Sequence, residues 1–244
     1  MRIPLLLTLA TLLLGCGASP RPTLPPLTHN PMDRYRFGCE PIDSAYVAAH
    51  LDELEELFGS HLTADTYRDK LLAALAFYPR LRGVNIELRQ RVLRTSMAAR
   101  PVKLGSTRSK RRYAILVDDI STKAHDFRHT SYSAQVGCFI HELGHVSHYE
   151  RTANLDLIGE ASAYVTNQRF KSRYEAIADS FVVRNGGGYF LYEYRRHTFE
   201  EADLPAEYLA FKERNYNTHK AVLRQHRRYL KKRGWENRCQ HSRP

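Results

Sequence analysis

Residues 138–149 read Cys138-Phe139-Ile140-His141-Glu142-Leu143-Gly144-His145-Val146-Ser147-His148-Tyr149, and the pattern H-E-x-x-H at their centre organises the reading of the whole chain. Apolar residues flank it on both sides with no proline, so a helix is expected from about Ser133 to Tyr149. At about 100° per residue, positions 141 and 145 differ by about 400°, and both imidazoles leave one face a turn apart. Two neutral ring nitrogens so placed can fill two corners around a zinc ion. Glu142 is turned by about 100° from His141, which sets it beside an open corner, in place to move a proton to or from a water molecule there. Gly144 costs a helix interior roughly 1 kcal/mol relative to alanine, so something other than helix stability governs that position.

A zinc ion held this way needs a third protein ligand, and catalytic sites commonly use two histidines, a glutamate and an open position for water. The best candidate is Glu175, thirty residues after His145, on a helix expected over residues 171–183. Glu175 and Asp179 are i, i+4 and share a face. Glu160, fifteen residues after His145 on a helix expected over residues 155–167, is the competitor. His148 extends the face of His141 and His145 by one more turn, where a third ligand from the same helix is awkward, and is read as packing or support. Cys138 and Ala134 continue that face backwards as core positions.

His141-Glu142-x-x-His145 followed by Glu175-x-x-x-Asp179 resembles the gluzincin branch of the zincin metallopeptidases. The Ser172-Arg173 pair ahead of the glutamate is similar to the Ste24 and HtpX type of membrane-associated peptidase. The resemblance covers residues 133–183 and implies Zn2+ on His141, His145 and Glu175, with Glu142 as general base and a peptide or protein as substrate. It implies further that Asp179 accepts a hydrogen bond from a ligand histidine and so fixes its tautomer. Related enzymes add a Tyr, His or Arg donor for the oxyanion beyond the glutamate helix; Tyr189, Tyr192, Tyr194, Arg195 and His197 are available, with Tyr192, Tyr194 and His197 first. By the same resemblance the strand before the active-site helix, Tyr113 to Asp118, would lie at the sheet edge and accept an extended peptide; an interior strand fits the chain order equally. Those enzymes carry several transmembrane helices and this chain shows none, so substrate access is expected to be aqueous.

Working outward, residues 43–58 place Tyr46, Val47, Leu51, Leu54, Leu57 and Phe58 at spacings of three and four, an amphipathic helix closed by Gly59. A second helix is expected from Thr63 or Asp65 to Phe77. Val84 to Leu88 alternates as a half-buried strand, Val92 to Ala99 is a candidate second strand, and Tyr113 to Val117 a third. The expected fold class is α+β and zincin-like, with a small, mostly antiparallel sheet beside the active-site helix and the glutamate helix.

At the N-terminus, Met1-Arg2 precedes an apolar run from Ile3 to Leu14, twelve residues long and short of the ~20 that span a bilayer, which is the form of a signal peptide. Leu13-Leu14-Gly15-Cys16 resembles the lipobox of bacterial lipoproteins. That resemblance implies lipidation of Cys16, with acyl chains adding about 0.8 kcal/mol of membrane affinity per methylene, and Gly17 after it favours the outer membrane. Pro20, Pro22, Pro25, Pro26 and Pro31 then prevent regular structure and form a tether. The expected organisation is a signal peptide over 1–15, a lipidated cysteine and tether over 16–32, a catalytic domain over 33–210 and a basic helix and tail over 211–244. With Cys16 set aside, Cys39, Cys138 and Cys239 face an oxidising compartment, and Cys39 with Cys239 is the expected disulfide because Cys138 falls on the active-site helix.

The chain of 244 residues carries a formal net charge of +11, and an excess of that size points to an anionic neighbour. Residues 212–238 hold ten basic residues against Glu213 and Glu236, which reads as a solvated helix face or as attraction to anionic headgroups or lipopolysaccharide phosphates. The envelope address argues against nucleic acid. Besides an active peptidase, two other functions fit the residues: a zinc hydrolase of a non-peptide envelope amide, and a tethered binding or scaffold lipoprotein whose zinc serves structure.

Overall fold

The computed structural model describes residue 21, residues 24–120 and residues 127–239. The expected signal segment, Cys16 and the first part of the tether lie outside the described residues.

The first helical stretch is split into α1 (Ser44–Ala49) and α2 (Leu51–Phe58). The break is at His50, whose φ of −113° and ψ of 15° leave the helical region and whose Nδ1 lies 2.8 Å from the Tyr46 carbonyl oxygen. Thr63, a candidate start for the second helix, instead forms strand β1 with Leu62 (Leu62–Thr63), and α3 (Arg68–Leu75) begins only after Tyr67 turns through φ 53°. Strands β2 (Asn85–Gln90), β3 (Met97–Pro101) and β4 (Arg112–Val117) follow. Residues 92–96 lie outside the strand assigned to them, with the Leu93 amide donating to Asp118 Oδ2 at 2.9 Å.

The sheet runs in the order β1-β2-β4-β3 and is mixed, with β1, β2 and β4 parallel and β3 alone antiparallel. The expectation of a mostly antiparallel sheet is thereby corrected. The reason is connection length: α3 lies between β1 and β2, and β3 between β2 and β4, so each parallel pair is joined by a crossover long enough to return the chain to its starting end. The structure also decides between the two positions left open for the strand before the active-site helix. β4, the strand before the H-E-x-x-H helix, is interior, and β3 occupies the edge.

Helix α4 (Tyr132–Tyr149) is capped by Ser131, whose side chain accepts the Ala134 amide. Of its residues only Tyr132 and His148 escape full burial, so it is a central helix packed on every side. α3 and β3 lie against it on one flank, and on the other lie α6 (Gln168–Arg184) and α7 (Gly188–Arg196). Between α4 and α6 runs α5 (Asn154–Thr166), in which only Leu157 is fully buried. Fully buried Phe77, Phe139, Phe190, Leu71, Leu72 and Ile115 fill the interior, each stabilising the fold by about 1.5–3 kcal/mol before entropy.

Helices α8 (Ala206–Asn215) and α9 (His219–Lys232) complete the chain. α9 buries Val222, His226 and Leu230 against α7 and exposes Lys220, Arg224, Arg227, Arg228, Lys231 and Lys232. Cys39 and Cys239 are joined in a disulfide, which ties the two ends of the described chain beside His226.

Candidate metal centre

Two glycines let the neighbours of α4 approach at backbone distance. A Cβ on Gly144 would lie 2.9 Å from the Ala178 carbonyl oxygen of α6, and one on Gly137 would collide with the Phe190 backbone of α7. The helical cost noted for Gly144 is thus offset by contact with α6, the helix that carries Glu175.

At that contact His141 Nε2 and His145 Nε2 each lie 3.2 Å from Glu175 Oε2. Donor atoms at tetrahedral corners 2.0–2.1 Å from a zinc ion are about 3.3 Å apart, so these side chains fit a shared ion with little adjustment. The three residues are each 6% exposed or less, and their ligand atoms all lie within 4.8 Å of one another, with no fourth His, Cys, Asp or Glu in the group among the described residues. The donor set is also right in charge. Glu142, Glu175 and Asp179 are all buried here, a concentration of carboxylates that needs cations to be stable.

Each ligand is held from behind. Tyr164 of α5 donates to the other Glu175 oxygen, Oε1, at 2.6 Å, and Tyr174 stacks on the His145 ring with centroids 5.4 Å apart. Asp179 Oδ1 lies 2.9 Å from His141 Nδ1, close but off the line of the ring N–H, so the pair is ionic contact more than aligned hydrogen bond. Asn217 donates to Asp179 Oδ2 at 2.8 Å, and Arg195 Nη2 stands 3.7 Å from Oδ1. Burial opposes a charged His141, yet Asp179 and Glu175 outweigh it and raise the ring to about 9. Burial likewise works against ionised Glu175 and Asp179, but His145 and His141 hold Glu175 well below the ordinary carboxylate range, and His141 and Arg195 do the same, less strongly, for Asp179.

The centre opens into a cleft of about 400 Å³, with β3 as one wall and Leu157, Ala161 and Tyr164 of α5 as the other. Glu142, His145 and Glu175 line it together, which sets Glu142 beside the ligands in open space. Glu160 also reaches the cleft, but its Oε2 pairs with His148 Nε2 at 3.0 Å, away from the ligand group.

Tyr192, Tyr194 and His197 do not line the cleft. Tyr194 and His197 border a separate small cavity, His197 Nδ1 lies 3.4 Å from Glu201, and the Tyr192 ring faces His219 at 6.1 Å. Four tyrosines do line the cleft, Tyr149, Tyr164, Tyr174 and Tyr216; Tyr216, after α8, has its ring centroid 6.2 Å from that of His141 and the Arg195 guanidinium 4.4 Å over its face. Burial pushes the Tyr216 hydroxyl well above its ordinary range, so it remains a proton donor. Tyr164, Asn217 and Tyr216 carry no spacing relative to the two motifs, and only the path of the chain brings them in. Cys138 is a buried free thiol outside the ligand group, raised to about 12 by burial. Cys16 lies outside the described residues.

No family model, curated protein or solved structure matches the chain. The centre is therefore defined by its own geometry: a buried His-His-Glu group on two helices, fit for a metal ion and open to a cleft.

Proposed function

We propose that this protein is a zinc-dependent metallopeptidase. The observation that carries the reading is the 3.2 Å approach of both Nε2 atoms to one Glu175 oxygen at the floor of an open cleft. A structural zinc site is closed by a fourth protein ligand, whereas a catalytic one keeps a position for water; the absence of a fourth ligand among the described residues supports catalysis.

Bound there, zinc would polarise a carbonyl and lower the pKa of a water molecule to about 7. The chain supplies the remaining parts. His141, His145 and Glu175 would hold the ion, with Asp179 and Tyr164 fixing the orientation of the first and last. Glu142 takes the proton of the attacking water and passes one to the leaving amine. Tyr216, whose ring lies on the cleft lining 6.2 Å from that of His141, would supply the donor to the oxyanion in this reading, in place of Tyr192, Tyr194 or His197, which do not line the cleft. The outer edge of β3, along the cleft wall and without a partner strand among the described residues, would offer an extended peptide chiefly its Met97 and Ala99 amides. The Met97 and Ala99 carbonyls already accept from the Thr95 and Tyr149 hydroxyls, and Pro101 has no N–H.

Glu142→Gln is expected to keep zinc and fold and to abolish hydrolysis, read by zinc analysis and by cleavage of a peptide library with product identification. Unchanged cleavage by that variant would contradict the mechanism.

The envelope address is part of the proposal and rests on Leu13-Leu14-Gly15-Cys16. Lipid on Cys16 would anchor the domain to a bacterial membrane, the outer one by the Gly17 rule, and the exposed basic face of α9 would meet anionic headgroups. Among the described residues no helix is long and apolar enough to cross a membrane. Labelled palmitate should enter the full chain in cells and be lost in Cys16→Ser; label retained in that variant would remove the anchor from the account.

A further inference from the structure

One end of the cleft is bounded by Thr95 from the loop before β3, by Tyr164 of α5 and by Tyr216. Phe211 of α8 packs 6.4 Å from Tyr216 and takes two cations on its face, Lys171 Nζ at 4.6 Å and Arg94 at 5.9 Å. Lys171 also lies 5.1 Å from the Tyr164 ring, and Lys212 Nζ 4.6 Å from the Tyr216 ring. Together with Arg195, four cations meet three rings at this end. Only Arg195 has a carboxylate, Asp179; among the described residues no carboxylate pairs with Arg94, Lys171 or Lys212.

Ring faces are a weak substitute for a counter-ion, worth about 0.5–1 kcal/mol at exposed sites. The cluster therefore repels itself: burial, Arg94 and Lys212 lower the Lys171 pKa, against the pull of Glu175. The neighbouring acids are committed elsewhere, Glu175 to the ion, Glu142 to the water and Glu160 to His148. A like-charge cluster without a counter-ion at the edge of a binding cleft is stabilised by an anion brought in with the ligand.

We propose that this end of the cleft is a carboxylate subsite, in which Lys171, backed by Arg94 and Lys212, receives a carboxylate of the substrate next to the bond presented to the metal centre. This rests on the metallopeptidase reading and names its substrate class: peptides bearing an acidic side chain or a free C-terminus at that position. Lys171 is half-buried and lies just behind the cleft lining, 5.1 Å from the ring of Tyr164, which does line it, whereas Lys212 is only 3% exposed and contributes charge from further behind.

The test uses the full chain as zinc-loaded Glu142→Gln, which holds peptide without cutting it, and calorimetry with alanine hexapeptides. One Glu, or its neutral match Gln, is stepped through the positions, and each peptide is made as free acid and as amide. A charged peptide should bind roughly tenfold tighter than its neutral match, and whichever pair shows the contrast identifies side chain or C-terminus as the source. Lys171→Gln should erase the contrast and Lys171→Arg should keep it, with zinc content unchanged in both. Equal binding of charged and neutral peptides, or a contrast that survives Lys171→Gln, overturns the subsite. Wild-type protein that shows the contrast in binding yet cuts none of the peptides contradicts the metallopeptidase reading and leaves the subsite standing. Wild-type protein that cuts charged and neutral peptides alike overturns the subsite alone.

Discussion

Helices α5 and α6 both follow the H-E-x-x-H helix, and both carry a glutamate followed by alanine, yet only one glutamate reaches the histidines. On α6, Tyr174, Ala178 and Val182 are buried and Ala178 meets α4 at Gly144, backbone against helix. On α5, Leu155 and Val165 are more than 80% exposed, and Glu160 stops at His148. Reach along the chain does not choose between the two glutamates. What chooses is how closely the helix axis approaches, and a single missing side chain at position 144 sets that distance.

Removing each glutamate should break the symmetry most sharply. Glu175→Ala is expected to bring bound zinc down to background, and Glu160→Ala to leave it at the wild-type level, read by metal analysis after dialysis against a weak chelator. Equal loss in both would mean that the wrong helix has been assigned the ligand.

The glycines provide the next contrast. Gly144→Ala forces a methyl group to 2.9 Å from the Ala178 oxygen, and overpacking of this kind costs about 1–3 kcal/mol. Gly159→Ala on α5 meets nothing within 4 Å and should stabilise the fold by about 0.5–1 kcal/mol through helix propensity. Urea unfolding of both variants measures the pair, and weakened zinc binding is expected only in the first. Asp179→Asn should leave the fold in place and weaken zinc binding about 10–100-fold, the usual effect of removing the partner of a ligand histidine.

A pH dependence is expected at the contact of α4 with α6, through His141 and its partners Asp179 and Glu175. In metal-free protein His141 binds its proton more tightly folded than unfolded, with a folded value of about 9 against 6.5. The stability this contributes is complete below about 6.5 and is lost as pH rises through about 9. The melting temperature of the metal-free protein should therefore fall over that window, equally in wild type and Glu160→Gln. Zinc-loaded protein, in which the ion takes the place of the proton, should show no such decline.

Much of the centre was legible because its parts are local. H-E-x-x-H and E-x-x-x-D each place two side chains on one helical face, and helix periodicity needs no knowledge of the rest of the fold. The sheet was less legible. Alternation along Ile86 and the continuous apolar run through Ile115 each mark a strand, but not the direction of its partner, so the parallel pairing of β1, β2 and β4 emerged only with the crossovers. β1 is two residues long and leaves no periodic trace. Tyr164, Asn217 and Tyr216 were illegible for a further reason: each joins the centre through a contact eleven or more residues distant, and nothing in their neighbours marks them.

The most direct measurement is the position of zinc by anomalous diffraction from a crystal of the zinc-loaded chain. One ion is expected on His141 Nε2, His145 Nε2 and a Glu175 oxygen, with the fourth position facing the cleft. An ion bound by Glu160 in place of Glu175, one closed off by a fourth side chain, or none at this place would contradict the account.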